Sequence, residues 1–516
     1  MAKQLESVSV AAPGFYGLNS QESSVTLAPN FALRADNCVL DKYGRLGARK
    51  GWYYVTEGST GVNLKGAHEF IDIDGVRYFG CWSDTAFYIA SGSTLTEVTY
   101  TGNNTITSDG WDAATLNDAA YLVNRDYEMI YFSPTTGQLT DVSLAAVNVN
   151  KFVPQPNTIL SAYGRLWAAD TTDNKTTVYF SDLLDGLIWD GGTAGSLDLS
   201  SVLVNGNDEI VALGAHAGRL IIFCKDHVVI YGSAGSATTL DPATMQLVEV
   251  ISNVGCVARD SVQNTGTDIV FLSRTGVQSL GRLIQEKSQP FRDLSKNVRD
   301  DLVKDVINSN PDNIRSVYAA SEAFYLLLIP EYKRIYCFDT RSMPQDGSAR
   351  VTIWDNQTHT NMIEKYDSAS KKYDLYFTNE DGIAEYGGYT DNGSPYVMKY
   401  FTAYFDFGNS TNTKILKRLG ATVIGSSGQA FVLKAGFDYE DSYTSAPITL
   451  DSLSNYEYGV AEYNVAEYTV GTLVDQARAS MGGDGSVIQV GVEATIQNAP
   501  LSIQRLDIYV KQGRTL

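Results

Sequence analysis

Histidine, cysteine and basic side chains are scarce in this chain of 516 residues, and each shortage removes a class of function. The four histidines (His68, His216, His227, His359) form no H-x-x-x-H pair and have no cysteine beside them, so no zinc site is expected. The five cysteines (Cys38, Cys81, Cys224, Cys256, Cys337) lie far apart in apolar text without a C-x-x-C. Buried free thiols, made in a reducing cytosol, are the expectation. Only 39 Lys and Arg stand against 59 Asp and Glu, a net charge of −20. That disfavours ordinary non-specific binding to nucleic acid, which needs cations to displace counterions. No apolar run approaches the roughly 20 residues of a membrane span, so no stable membrane insertion is expected. The start, "MAKQLESVSVAAPGFYG", lacks the apolar core of a signal peptide. There is no G-x-S-x-G, no P-loop and no dinucleotide fingerprint, and the chain reads as a non-enzyme without cofactor, metal or catalytic residues.

What is present is strand and turn chemistry: 32 Tyr, 45 Gly and many Thr and Val. One hairpin plan recurs in "RLIIFCKDHVVIYG" (219–232), "DIVFLSRTGVQSLG" (268–281) and "DLYFTNEDGIAEYG" (374–387). Each is an apolar run, a polar turn, then a second apolar run ending near Gly. Looser copies are 76–91, 119–133, 163–181 and 323–339. The spacing of about 44 to 56 residues is that of propeller blades, small sheets that must stack to bury both faces. The expected fold is all-β: a β-propeller of six or seven blades over 55–390, an N-terminal arm over 1–54, and a separate C-terminal β-domain over 391–516. One clear helix is expected at 294–310, capped by Ser295, with Val298, Leu302, Val303 and Val306 on one face.

The stretch "YGRLWAADTTDNKTTVYFSDLLDGLIWD" (163–190) looks at first like a WD repeat or a sialidase aspartate box. Counting back from Trp189 and Gly186, the aspartate position holds Leu184, and no G-H pair precedes the Trp-Asp. The ending recurs in "TIWDNQ" (352–357), so Trp189 is expected to plug a gap between blades. "DIDG" (72–75) and "NEDGIAE" (379–385) lack calcium-loop spacing and read as hairpin turns. Asp170, Asp182, Asp185, Asp190 and Asp268 lie in loops and are the carboxylates a glycosidase could draw on, with no pair preferred. The Tyr-rich "EYGVAEYNVAEYTVG" (457–471) could stack sugars but reads better as packing and interface. Basic residues cluster in "KYGRLGARKGW" (42–52). Arg45, Arg49, Lys50 and Trp52 are the candidate assembly contact with an acidic neighbour, the bland alternative being a solvated turn.

The opening "GFYGLNSQESSVTLAPNFALRADNCVLDKYGRLGARKGW" resembles the N-terminal arm of tail nozzle, or tail-hub, proteins of short-tailed bacteriophages. Its Asn-bearing strand is followed by Gly-x-Leu and an Arg-Lys-Gly turn. "YGRLWAAD…VYFSDLLDGLIWD", "GRLIIFCKDHVVIYG", "TDIVFLSRTGVQSL", "YGGYTDNGSPYVMKYFTAYFDFG" and the ending "PLSIQRLDIYVKQGR" look like later landmarks of that family, in order. The resemblance implies a structural virion protein of the phage tail, made in the host cytoplasm. It implies a homo-oligomeric ring, usually a hexamer, below the portal and its adaptor (connector) protein. Such a ring continues the DNA exit channel, retains the packaged genome and touches tail fibres or tailspikes. Phage DNA would pass without sequence-specific binding. Six copies would carry 6 × −20 = −120, and an acidic bore lets a duplex slide where a basic one would grip its phosphates. The alternative is a glycan-binding or glycan-cleaving propeller, such as a tail-associated depolymerase.

Overall fold

In the computed structural model the described residues are 5–56, 61–108, 110–148, 151–203, 206–233, 240–286, 293–341, 347–426, 428–450 and 472–515. The Tyr-rich stretch 457–471 lies outside them. Strands dominate, and they form a six-bladed β-propeller with further β-sheets in a C-terminal region.

The blades are four-stranded antiparallel sheets. Blades 1 to 4 span 66–98, 112–141, 158–198 and 210–252, and blade 5 spans 315–354. Blade 6 takes three strands from 361–386 and its outermost strand, Trp52–Tyr54, from the beginning of the chain, which closes the ring. A three-stranded wedge, 263–279, fills the space between blades 4 and 5. Its missing fourth strand is replaced by 293–298: Val277 donates to Ser295 Oγ at 2.9 Å, and Leu294 donates to the Val277 carbonyl at 3.0 Å. The first strand of each unit lies innermost, around the axis.

The seven hairpins legible in the sequence are the second and third strands of the six blades and the wedge. These middle strands are covered on both faces, so every residue of Arg165–Ala169, Ile269–Ser273 and Phe324–Ile329 is buried. Trp189 packs with Ala114, Val123, Leu166 and Ala168, between blades 2 and 3. Trp354 fills the equivalent gap between blades 5 and 6, against Leu375, Phe377 and Tyr386. All five cysteines are buried and free. Helix is short: Arg299–Ile307 follows a 3-10 turn, with Leu302 and Val306 buried, while Ser295 gives its hydroxyl to the wedge rather than to a cap. A second helix, Leu280–Glu286, continues directly from the wedge's last strand and was not legible as a helix.

The C-terminal region is two sheets face to face. One contains Tyr396–Phe405, Ile488–Ile496, Ala430–Phe437 and Tyr443–Thr449; the other contains Leu501–Thr515, Asn412–Ser426 and Thr472–Ser480. Met398, Tyr400, Val492 and Leu433 meet Leu419, Val423, Ile503 and Ile508 in their shared core. The expected arm is built into both sheets. Glu6–Ala11 pairs with Leu501–Thr515, and so does Leu46–Ala48, while Ala32–Asp36 pairs with Tyr396–Phe405. Ala32–Asp36 also pairs in parallel with blade 5 through Asp36 and Ile353, making one nine-stranded sheet that runs from propeller into sandwich. The arm and the C-terminal region thus share one core. Strand pairing is non-local, and nothing in the local pattern of 1–54 names partners more than 350 residues away.

Candidate functional site

Of the four expected assembly residues, three meet at the joint between propeller and sandwich. Arg49 is 1% exposed. Its Nη1 and Nη2 clasp Asp391 at 2.8 and 2.6 Å, Nε donates to Asn37 Oδ1 at 3.0 Å, and Nη1 also reaches the Lys50 carbonyl at 2.9 Å. The guanidinium lies 4.1 Å over the Tyr396 ring. Burial works against its charge, and Asp391 more than offsets that, so the guanidinium stays ionised. Asn37, in the left-handed region at φ 53°, ties the same point to blade 5 through Ile353 and Asp355 and to the sandwich through Val397. Lys50 pairs with Glu322 at 2.8 Å, and its N–H donates to Tyr386 Oη at 3.1 Å. Trp52 sits in blade 6, edge-on to Tyr54 and His359. Gly51 packs so tightly that a Cβ there would fall 1.9 Å from the Thr390 carbonyl oxygen.

Arg45, Arg49 and Lys50, expected to meet an acidic neighbour, each have an acidic partner within the chain. The acidic partners are Asp41, Asp391 and Glu322 of the same chain. Arg45 binds Asp41 at 2.5 Å and stacks on Tyr43, with its own side chain 12% exposed. Local sequence cannot distinguish a basic turn facing solvent from one facing its own distant carboxylates. Trp52 and Lys50 are half-buried.

The second polar centre lies on the propeller axis, where several innermost strands begin. Arg259 stands in the 3-10 turn Arg259–Ser261, just before the wedge. It donates to both oxygens of Asp260, at 2.9 and 3.0 Å. It then crosses to the Asn157 and Gly110 carbonyls at 2.7 and 3.2 Å, and to the Trp111 carbonyl at 3.3 Å, tying the wedge to blades 2 and 3. Arg315, first in the innermost strand of blade 5, meets Asp260 at 2.9 Å. Asp112, first in blade 2, accepts from the Ile159 N–H at 3.0 Å and the Thr158 hydroxyl at 3.3 Å. Burial, with Asp260 nearby, pushes the Asp112 carboxyl up despite Arg259. Burial would push Asp260 up as well, but Arg259 and Arg315 override it and hold its carboxyl low. A polar cavity of about 270 Å³ lies among these residues, with Lys65, His68 and Asn361 also in its wall. Burial pushes the His68 imidazole down to about 4, so it is neutral at pH 7.

None of the five loop carboxylates lines that cavity. Asp170 is held by Arg125 and Lys175, both at 2.6 Å. Asp182 and Asp185 serve one turn, accepting from Thr193 and Leu187, and Asp268 accepts from the Gly281 N–H at 2.8 Å. Asp190 is exposed. The axial residues escaped the sequence reading because each stands singly ahead of a short first strand ("GWDAAT", "ARDSV", "NIRSVY"), outside the repeated hairpin. Among the described residues no group of His, Cys, Asp and Glu is placed to hold a metal ion.

Fold and sites define a β-propeller protein fused through a shared sheet to a β-sandwich. No family model and no curated protein matches the chain. Among solved structures it is similar to PorZ, an essential bacterial surface component of the type-IX secretion system of Porphyromonas gingivalis. Identity there is 12% and TM-score 0.33, over 64% of this chain and 37% of that one. It is also similar to the AfRom2 CNH domain, at 10% identity and TM-score 0.37, over 65% of this chain and 98% of that one.

Proposed function

We propose that the chain is a tail nozzle or hub subunit of a short-tailed bacteriophage. It forms a homo-oligomeric ring, a hexamer, beneath the portal and adaptor, continues the DNA exit channel and helps retain the genome. One observation carries the reading beyond the sequence resemblance: landmarks of that resemblance far apart in the chain converge on one joint. The Asn-bearing strand, the Arg-Lys-Gly turn and the "GGYTDNGSPYV" stretch meet as Asn37, Arg49, Gly51, Thr390, Asp391 and Tyr396. A joint that locks propeller and sandwich into one body suits a subunit that bears load in a ring. The axis of the single propeller, crossed by Arg259, has no room for a duplex, so a conduit has to be built between chains. The charge of −20 per chain suits a bore along which DNA slides.

The test is the symmetry of the purified particle in electron-microscope class averages. A six-fold ring with an open bore is expected; a monomer at assembly concentrations, or a closed particle, refutes it. The glycan-acting alternative draws on Asp112 and Asp260, whose environments push their carboxyls in opposite directions. Capsular polysaccharide turnover that Asp112→Asn abolishes would establish it in place of the nozzle reading.

A further inference from the structure

Arg315 is nine-tenths buried, yet its hydrogen bonds leave from one nitrogen only. Nη1 donates to the Asp312 and Ile314 carbonyls at 2.5 and 3.2 Å and is the atom nearest Asp260. Nε and Nη2 make no hydrogen bond to any described residue. On the neighbouring blade Asn361 accepts the Met362 N–H through Oδ1, leaving its Nδ2 donors unspent. Both residues line the axial cavity. The cations in its wall are Lys65, Arg259 and Arg315; the carboxylates are Asp112 and Asp260. Lys65 is itself paired, with Asp84 at 3.8 Å.

Arg315 lines the cavity, and its Nε/Nη2 edge matches two oxygens of one carboxylate or phosphate. At about 30 Å³ per water, a cavity of about 270 Å³ has room for roughly nine water-sized groups. We propose that the axial cavity binds a small oxyanion, a carboxylate or phosphate, gripped by Arg315 Nε and Nη2 with the Asn361 amide donating beside it. The site is independent of the nozzle reading and stands whether or not the chain forms rings.

Calorimetric titration of the full chain with sodium glucuronate, inorganic phosphate and glucose tests it. One site per chain is expected for glucuronate or for phosphate, and which of the two binds tells a sugar acid from a free anion. Glucose should bind at least about tenfold more weakly. Arg315→Lys keeps the charge and loses the fork, so it should weaken anion binding by about tenfold. Asn361→Ala should weaken it several-fold with an unchanged melting curve, which keeps the test open if the Arg315 variant misfolds. No saturable heat from either anion up to about 10 mM, glucose binding as tightly as glucuronate, or full affinity in folded variants would each overturn the proposal.

Discussion

Replacing Arg49 by Met should unlock the joint while leaving the blades intact. Met keeps much of the side chain's length and apolar stem, so the change isolates the guanidinium. Its removal strands the Asp391 carboxylate, takes one donor from Asn37 Oδ1, which keeps the Asp355 N–H at 3.1 Å, and uncovers the Tyr396 face. Breaking a buried ion pair from one side costs about 3–5 kcal/mol. The Asp391 side chain is 17% exposed, so water relieves part of the penalty and the lower end, about 3 kcal/mol, is the working figure. Unfolding of a chain this size need not be two-state, so the reporter should be local. The Asn37, Arg49, Gly51, Trp52 and Asn392 amides all donate to backbone carbonyls within the joint. Hydrogen exchange read by mass spectrometry should show them opening about 100-fold faster, at about 1.4 kcal/mol per decade, with the middle strands of blades 2 to 4 unchanged. Adding Asp391→Asn to the Arg49→Met variant should recover a substantial part of the loss, because no uncompensated charge remains. Equal exchange in the single and double variants, or an unchanged rate in Arg49→Met, would show that the pair does not hold the joint.

Gly51→Ala should destabilise the joint by about 1–3 kcal/mol or more, since a Cβ would lie 1.9 Å from the Thr390 oxygen. Gly482→Ala, with nothing within 4 Å, is the control, and equal melting temperatures would refute the steric reading. Trp189→Ala should cost about 3–5 kcal/mol by opening the gap between blades 2 and 3, and a loss below about 1 kcal/mol in denaturant titration would rule that out. Acid should weaken the fold through His359 and His68. Burial lowers His359 to about 3 and His68 to about 4, both below the ordinary 6.5, so between those values the unfolded chain binds more protons than the folded one. Their stabilisation is complete above pH 6.5 and is lost as pH falls toward 4 and 3, by at most about 1.4 kcal/mol per pH unit for each group. His359→Phe should flatten the dependence of melting temperature on pH in that window; an unchanged slope would remove His359 from the account.

The repeat was legible because a propeller's middle strands are sealed on both faces. Phe324–Ile329 is apolar throughout for that reason, and the same pressure wrote each of the seven hairpins. The inter-blade tryptophans were legible too, since a plug repeated between blades leaves a repeated Ile-Trp-Asp in the text. Outer strands face solvent on one side, and Met245–Ser252, with Leu247 and Val248 exposed, shows how far the apolar signal fades there.

What stayed hidden was decided by pairing over long separations. In "GRLGARKGW" (44–52) nothing distinguishes Arg49 from Arg45, yet one is sealed 342 residues from its carboxylate and the other folds back four residues onto Asp41. The distinction appears only when Gly51 lies on Thr390 and brings 386–392 against the turn. The axial cluster was hidden for a related reason. Asp112, Arg259 and Arg315 look like ordinary polar residues before strands until the blades close into a ring and bring their side chains together. A closed ring therefore concentrates on its axis the residues that a linear repeat search passes over. In this chain the axis also holds Arg315, whose Nε and Nη2 make no hydrogen bond to any described residue.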